Sequence, residues 1–308
     1  MFALFVRTDQ VQASIQTNLE PPGPLSHRQL TLLPPLPELD IPNSKMSTPA
    51  SNSATPLVTF TTTLIPPPGP SATITVPTRT IPAPTTNPPA LNDAFAVRLE
   101  VFVDEQKCPP EIEIDEDDAR CWHWVIYNTT PATPAPSTEK VPIAVVRLVP
   151  PPHPPHGDFI AAHGEEALAQ AQSAGPSGDT LNANGADTGA GPGWDLSHEP
   201  YIKFGRVAVV QPYRGFGLGR RLMETAMEWA AGNAAAINRA FVEAVERDVG
   251  PDAARSLPEW KGLALVHGQV QVEKMYERLG FVTDQSLGRW IEDGIEHVGM
   301  WKRLDVKG

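Results

Sequence analysis

The stretch "RVAVVQPYRGFGLGRRLMETAMEWAA", Arg206–Ala231, passes from a β-branched apolar segment through three glycines into a run with helical spacing. Upstream, the apolar residues of Tyr201–Val210 are typical of a buried strand, and Pro212 marks a turn. Downstream, apolar residues recur at intervals of three and four from Leu222 to Ala230. The stretch therefore predicts a strand, a glycine turn and a helix, in that order.

The spacing of the glycines separates three kinds of phosphate-binding loop. Arg220 and Arg221 stand where a P-loop needs Lys and Ser or Thr, and a dinucleotide fingerprint needs G-x-G-x-x-G, whereas these glycines are each two apart. What remains is R-x-x-G-x-G, in which Gly217 and Gly219 can take backbone angles closed to other residues. Amides at the start of a helix then face an anion. A plain strand-to-helix turn, with glycines for packing, is the alternative.

Composition divides the 308-residue chain into folded and unfolded parts. The 35 prolines concentrate before residue 91 and between 131 and 155, and such segments bury too little apolar surface to offset their ordering entropy. We predict a disordered Pro/Ser/Thr-rich arm over 1–90, from which one edge strand can come. One compact domain over 91–305 follows, with low-complexity inserts at about 129–140 and 150–198.

Charge and cysteine content restrict the setting of the protein. The net charge of −12 argues against a nucleic-acid surface, and no run approaches the roughly 20 apolar residues of a membrane span. The apolar start "MFALFVRT" is too short for a signal peptide. Two cysteines, Cys108 and Cys121, indicate a reducing compartment. We expect a cytoplasmic or nuclear protein without a membrane or nucleic-acid partner.

The folded part alternates between the two secondary-structure periods. Helical spacing is found in Leu91–Gln106, in the helix after the glycine loop with its extension to Gly250, and in Gln269–Gly280. Strand patterns are found in Cys121–Asn128, Val141–Pro150, Tyr201–Val210, Gly262–His267, Phe281–Thr283 and Glu296–Leu304. This order predicts an α/β fold with a mixed sheet.

Two polar clusters invite a functional interpretation. Nine carboxylates lie between Glu100 and Asp118, either as an acidic lip for a cationic amine or as a solvated loop. His153, His156 and His163 suggest a metal, but the intervening prolines disfavour ligand geometry and no carboxylate or thiol completes the set. We predict no metal site.

Three motifs resemble the GNAT superfamily of N-acetyltransferases: "QPYRGFGLGRRLM", "YERLGF" (Tyr276–Phe281) and, for the ElaA-type branch, "EDGIEHVGM" with "VFVDEQ". The resemblance covers about Leu91 to Arg303, without the inserts. It implies a mixed, mostly antiparallel central sheet flanked by helices. It also implies transfer of an acetyl group from acetyl-CoA to a primary amine, of a small molecule or a protein, by direct attack on the thioester.

The resemblance also assigns roles to particular residues. The CoA pyrophosphate would bind the backbone of Arg214, Gly215, Phe216, Gly217, Leu218, Gly219 and Arg220. Val207 and Val209 would pair with the pantetheine arm, and the Val209 amide would stabilise the oxyanion. Tyr276 would be the general acid toward the leaving thiolate. A core tyrosine on the apolar helix face is the alternative.

The general base is left open by the sequence, because the strand before the loop carries Lys203 and Arg206 where many members place a glutamate. His267 is the first candidate, since a histidine pKa near ~6.5 suits proton transfer. Glu105 and His297 are alternatives, as is an ordered water. A second function is a non-catalytic acyl-CoA-binding module whose segments "PPGP", "PPLP" and "PPPGP" bind partners.

Overall fold

A computed structural model describes residues 58–129, 140–155 and 194–307 of the chain. The expected inserts at 129–140 and 150–198 therefore fall mostly outside the described residues. The same holds for most of the expected arm over 1–90 and for His156 and His163.

The described residues form one eight-stranded sheet, in the order β1-β2-β3-β4-β5-β8-β6, with β7 paired to β8. All neighbours are antiparallel except β4 and β5, which are parallel. The predicted mixed, mostly antiparallel sheet is confirmed. The strands are β1 Phe60–Ile65, β2 Trp122–Asn128, β3 Val141–Val149, β4 Ile202–Val209, β5 Leu263–Gln269, β6 Val282–Thr283, β7 Arg289–Glu292 and β8 Ile295–Arg303.

Helices cover both faces of the sheet. On one face the ring of Phe95 in α1 lies 6.5 Å from that of His123. On the other, Trp229 of α3 packs against Trp122 and Trp124, at 5.0 and 5.5 Å. Successive side chains of a strand point to opposite faces of the sheet. His123 therefore packs against α1 on one face, and its neighbours Trp122 and Trp124 pack against α3 on the other. The helices are α1 Pro89–Arg98, continued by π-helical turns over Leu99–Glu105, α2 Pro110–Glu113, α3 Leu218–Gly232, α4 Ala234–Asp248, α5 Pro251–Ala254 and α6 Glu273–Arg278.

Strand β1 lies inside the segment expected to be a disordered arm, and it is the edge strand that the arm contributes. Its sequence FTTTLI pairs along its whole length with β2, from Phe60↔Asn128 to Ile65↔His123. Threonine is frequent in low-complexity segments, but its β-branched side chain also favours a strand. The domain boundary expected at residue 91 therefore moves to about residue 58.

Three other secondary-structure elements differ from those predicted. Strand β7 was not predicted, because its four residues are too few for a clear period. The extension after α3 is a separate helix, α4, since Asn233 leaves helical geometry at φ −131°. The helix expected over Gln269–Gly280 is shorter: β5 runs to Gln269, a 3₁₀ turn follows, and α6 covers Glu273–Arg278.

The acidic run of Glu100–Asp118 is only partly a solvated loop, because Glu113, Asp115 and Asp118 pair with buried arginines. Arg98, which is fully buried, contacts Glu113 at 2.7 Å and Asp118 at 2.6 Å. Arg147 contacts Asp115 at 2.7 Å and Asp118 at 3.1 Å. These partners lie far apart along the chain, which is why the sequence alone did not reveal them.

The carboxylate of Asp118 stays ionised inside this cluster. Burial alone would raise the pKa of Asp118, but the guanidiniums of Arg98 and Arg147 hold that pKa well below its ordinary value. His123 completes the cluster, with Nε2 3.2 Å from Asp118 Oδ1, while burial lowers the pKa of His123. The cluster lies between α1 and the sheet, and it fixes the acidic run to the strands.

Replacing Arg98 with Met tests this cluster. The change leaves Glu113 and Asp118 buried with fewer partners, and losing one member of a buried pair costs about 3–5 kcal/mol. Chemical denaturation should show a loss of that size in the free energy of unfolding. Arg255→Ala is the matched control, because its partner Asp252 is exposed and such pairs contribute about 1 kcal/mol or less. Equal effects of the two substitutions would contradict the account of the cluster.

Candidate active site

The central feature of the site is a gap between β4 and β5. The two strands pair only over Ile202–Phe204 with Ala264–Val266, although β4 continues to Val209 and β5 to Gln269. Beyond Phe204 and Val266 the two strands are no longer paired, which leaves a gap in the sheet.

A bulge in β4 accompanies this separation. The pairing of β3 with β4 shifts register between Val145 and Arg147, and Arg206 on the opposing strand takes a left-handed φ of 52°. That conformation is costly for a residue other than glycine and persists only where its surroundings hold it. Here the Arg206 guanidinium contacts Glu113 at 3.1 Å and Asp115 at 3.4 Å. A bulge bends its strand, so the acidic cluster holds β4 in the shape that opens the gap.

The edge of β4 that faces the gap carries the Val209 amide. The neighbouring amide of Val210 donates to the Ile143 carbonyl on β3 at 2.9 Å, and successive amides of a strand point in opposite directions. Among the described residues, no strand pairs with this edge beyond Phe204. The Val209 carbonyl accepts a hydrogen bond from Arg214 Nε at 3.0 Å. This edge can accept an extended ligand as an added strand.

The glycine loop has the conformation of a helix-start anion site, with one correction to the expected roles. Gly215 and Gly217 have φ of 87° and 73°, and α3 begins at Leu218. Gly219 lies within the helix, and a Cβ there would be in ordinary contact, 3.6 Å from Met275 Sδ. The left-handed angles thus belong to Gly215 and Gly217, whereas Gly219 needs no special conformation.

The first amides of α3 lie at the mouth of the gap. The Arg221 amide donates to the Gly217 carbonyl at 3.0 Å and is the first in the helix to do so. Helix geometry leaves the amides of the three preceding residues without an intrahelical partner. Leu218, Gly219 and Arg220 all line the cavity, so these amides and the helix dipole are placed to bind an anion.

Glu105 and Arg214 meet across the mouth of this cavity. The Arg214 guanidinium forms two parallel contacts with the Glu105 carboxylate, the first at 2.6 Å. The hydrogen bond from Arg214 lowers the pKa of Glu105 below its ordinary value. A carboxylate held in that form is a poor proton acceptor, so the geometry argues against Glu105 as the base.

The side chain of Phe216 points away from the cavity. Phe216 is 56% exposed, and its ring contacts the Phe60 ring of β1 edge-to-face at 5.8 Å. The Tyr213 ring contacts the Phe60 ring as well, at 6.3 Å. Asn128 donates to the Tyr213 hydroxyl at 2.9 Å. Only the backbone of Phe216 can serve a ligand in the cavity. Its side chain instead ties the loop to β1, a contact that the sequence analysis missed.

Two cavities meet at the gap. The larger, of about 1310 Å³, is lined by the glycine loop, the free edge of β4, the end of β5 and α6. The smaller, of about 370 Å³, lies on the α1 face beneath the π-helical turns and the β7–β8 turn. They share a large part of their walls, including Phe102, Gln106, Lys203, Arg206, His267 and His297. A ligand bound along β4 and a second ligand in the smaller cavity can therefore meet.

Tyr276 lies in the wall of the larger cavity, on the opposite face of β5 from His267. A side chain at Gly268 would place its Cβ 2.8 Å from Tyr276 Cε2, so the ring fits only because residue 268 is glycine. Gly268 was not singled out from the sequence, although a glycine inside a strand often marks such an approach. Burial raises the pKa of Tyr276 above its ordinary value, which keeps the phenol protonated.

His267 and His297 line both cavities and share one aromatic neighbour. The Trp290 ring lies 4.9 Å from His267, edge-on, and 6.2 Å from His297, stacked. The Nδ1 of His297 donates to the Ile295 carbonyl at 2.8 Å. The structure brings both histidines to the gap, as a proton acceptor requires.

The described residues offer no metal-binding group of three or more His, Cys, Asp or Glu side chains. His153, from the histidine cluster noted in the sequence, is buried and stacks on Tyr201 at 4.4 Å, with Nε2 donating to the Tyr201 carbonyl at 3.0 Å. Among the helices of the described part of the chain, none combines the length and apolarity needed to cross a membrane.

Comparison with known proteins agrees with this geometry. The family described as the acetyltransferase (GNAT) domain matches residues 180–283. A Bacillus subtilis (strain 168) protein named "putative acetyltransferase" is 25% identical over 218 residues, which cover 70% of this chain and 90% of that protein.

The solved structures that the chain resembles include two bacterial proteins. An acyl-CoA N-acyltransferase from Pseudomonas aeruginosa is 21% identical with a TM-score of 0.39, over 80% of this chain and 99% of that one. Escherichia coli ElaA is 17% identical with a TM-score of 0.36, over 80% of this chain and all of that one. The family match spans the glycine loop, α3, β5 and α6. Over residues 180–283 this chain is similar to the acetyltransferase (GNAT) domain, and over most of its length it is similar to a bacterial protein named as an acetyltransferase.

Proposed function

We propose that the protein transfers an acetyl group from acetyl-CoA to a primary amine, by direct attack of the amine on the thioester. The observation that carries this proposal is that two cavities share wall residues where the pairing of β4 with β5 ends. One cavity offers an anion-binding helix start and a free strand edge, which suit a pyrophosphate and its pantetheine arm. The other offers a separate chamber for an acceptor.

The cofactor lies along the larger cavity in this proposal. The amides at the start of α3 bind the pyrophosphate, and the edge of β4 at Val207 and Val209 pairs with pantetheine. The Val209 amide then stands near the thioester carbonyl, where it stabilises the negative charge of the tetrahedral intermediate. What supports this placement is the orientation of the Val209 amide, which points away from β3.

Tyr276 acts on the leaving group. Collapse of the intermediate breaks the C–S bond, and the departing sulfur needs a hydrogen-bond or proton donor. The raised pKa of Tyr276 keeps its proton in place, although it also weakens the phenol as an acid. The phenol therefore acts first through a hydrogen bond to the developing thiolate, and proton transfer completes as the C–S bond breaks.

The proton of the attacking amine needs an acceptor at the gap. His267 and His297 both remain candidates, because each lines both cavities. Glu105 is disfavoured by its contacts with Arg214.

The smaller cavity accepts either a small amine or an amine-bearing side chain or terminus of a protein. We further propose a cytoplasmic or nuclear location, supported by the absence of a disulfide between Cys108 and Cys121.

The competing function, a non-catalytic acyl-CoA-binding module with Pro-rich partner segments, gains little from the structure. The segment Pro66–Pro70 is held on the domain by a hydrogen bond from the Gly69 amide to the Ala119 carbonyl, 2.9 Å long. The segments "PPGP" and "PPLP" lie outside the described residues.

Release of CoA, followed with a thiol reagent over a panel of primary amines, tests the proposal. An acetyltransferase releases one CoA for each acetylated amine, whereas a binding module takes up acetyl-CoA without release. Mass spectrometry of the amine confirms the product. Binding of acetyl-CoA with no turnover on any amine would favour the module.

Replacement of Gly217 by Val tests the cofactor loop. The left-handed angle at this position costs a non-glycine residue about 1–2 kcal/mol, and more for a β-branched one, so CoA affinity should fall at least about tenfold. Isothermal titration measures the change. Gly232→Ala, at the other end of α3, is the matched control and should bind CoA as the wild type does, because nothing lies within 4 Å of the added Cβ and residue 232 does not line the cavity. Unchanged affinity in Gly217→Val would remove the loop from the cofactor site.

Tyr276→Phe tests the role of the phenol. If the hydroxyl assists the departing thiolate, kcat should fall by roughly 10²-fold while the KM values stay near wild type. Because the pKa of Tyr276 is raised, the wild-type enzyme should show no alkaline loss from this group below about pH 10. Wild-type kcat in the variant would leave Tyr276 as a packing residue, with a stability effect of about 1 kcal/mol at most.

A further inference from the structure

Lys203 stands at the point where β4 and β5 separate. Its Cα lies opposite Val149 on β3 and Leu265 on β5, one residue before the last pair of the parallel ladder, Phe204↔Val266. Paired residues share a face of the sheet, and His267 lies two positions beyond Leu265, so Lys203 and His267 occupy the same face at the start of the gap.

The Lys203 side chain lines both cavities. The lining of the larger cavity includes Tyr276 and the glycine loop, which the smaller cavity lacks, and that of the smaller includes Asp117 and His153, which the larger lacks. Lys203 therefore belongs to the wall that the two cavities share. An amine that moves from the smaller cavity toward a thioester on the edge of β4 passes this side chain.

Charged groups from several elements face the Lys203 ammonium. Glu292 of β7 and Asp117 of the 3₁₀ turn before β2 favour its charged form, whereas Arg147 of β3 and Arg206 of β4 oppose it. Burial is the strongest influence, and the net result lowers the pKa of Lys203 to about 8. A measurable fraction of the side chain is then neutral near physiological pH.

Three histidines, His153, His267 and His297, line the smaller cavity together with Lys203. Burial lowers the pKa of His153 well below its ordinary value, and the charges of Arg120 and Lys203 act in the same direction. His153 is thus neutral and donates to the Tyr201 carbonyl. His267 and His297 stand in the same shared wall as Lys203.

We propose that Lys203 is a catalytic residue, whose neutral amine accepts the proton that the acceptor nitrogen loses as it attacks the thioester carbonyl. The inference rests on the proposed function. The new N–C bond forms, the C–S bond breaks and the thiolate takes a proton from Tyr276. Lys203 Nζ takes the proton from the acceptor nitrogen, so the enzyme returns to its starting state once solvent removes one proton from Lys203 and returns one to Tyr276.

Lys203 suits this task better than the carboxylates near the gap. A general base works best when its pKa lies near the working pH, and burial brings lysines to that range. The strand before the loop carries no carboxylate that could replace it, and Glu105 is bound to Arg214. If Lys203 only balanced the charge of Glu292, any permanent cation at this position would serve equally well.

Two substitutions separate a base from a counter-charge. Lys203→Met removes both, whereas Lys203→Arg keeps a cation that cannot give up its proton at these pH values. With an amine that the wild type acetylates, kcat should fall roughly 10²-fold or more in both variants, while CoA affinity by isothermal titration stays near wild type. Lys261→Met, at an exposed lysine, should retain wild-type kcat. Wild-type kcat in either Lys203 variant would overturn the proposal.

The pH profile identifies which group titrates. A base with the pKa of Lys203 makes kcat rise with pH through about 8, since the neutral form is active. Histidine as the base would place this limb near ~6.5. Amines of different pKa separate the acceptor's own ionisation, because a limb that belongs to Lys203 does not move with the amine. A limb near 6.5 in the wild type that persists in Lys203→Met would assign the role to a histidine.

Competitive labelling with acetic anhydride gives a reading that needs no acceptor. Across about pH 6 to 11, Lys203 should become reactive with a midpoint near 8, well below the ~10.4 of an unperturbed lysine. A midpoint for Lys203 at the unperturbed value would overturn the proposal. A wild-type protein that releases no CoA with any amine contradicts the proposed function and the catalytic role together. Release of CoA at wild-type rates by Lys203→Met contradicts the role of Lys203 alone.

Discussion

The ion pairs that fix Arg206 are the constraint on which the rest of the site depends. Arg206 holds a left-handed backbone conformation inside β4, and its guanidinium binds Glu113 and Asp115 of the acidic run. The same carboxylates also bind the buried guanidiniums of Arg98 and Arg147, which Asp118 contacts as well. The cluster thus offsets the cost of the bulge, and the bulged strand parts from β5 to leave the gap in which both cavities meet.

In this arrangement the groups proposed to act on the cofactor lie on one face of the sheet, and those proposed to act on the acceptor amine lie on the other. Tyr276 and the start of α3 lie on the face of the larger cavity, where the cofactor is proposed to bind. Lys203 and His267 lie on the α1 face, from which the acceptor approaches. A single opening in the sheet brings the groups from both faces to one reacting carbon. Neighbouring residues of β5, His267 and Gly268, serve opposite faces because strand side chains alternate.

The local features could be predicted from the sequence, whereas those that depend on distant partners could not. The glycine turn and α3 follow from spacing within one short stretch, and the structure places both as expected. The roles of the glycines were only partly right, since φ at Gly219 depends on where the helix starts. Strand β1 was hidden by its threonine content, and the pairing of Arg98 with Asp118 joins residues from separate elements. The lowered pKa of Lys203 results from burial, which no sequence pattern records.

The central claim, that the gap and the adjoining helix start hold acetyl-CoA, is tested most directly by amide hydrogen exchange with and without CoA. The amides of Val207, Val209 and of Leu218–Arg220 should exchange more slowly when CoA is bound, because the pantetheine arm and the pyrophosphate accept their hydrogen bonds. Strand β1 away from Phe60 should be unchanged. Protection elsewhere in the chain, with none at Val209 and the start of α3, would contradict the account.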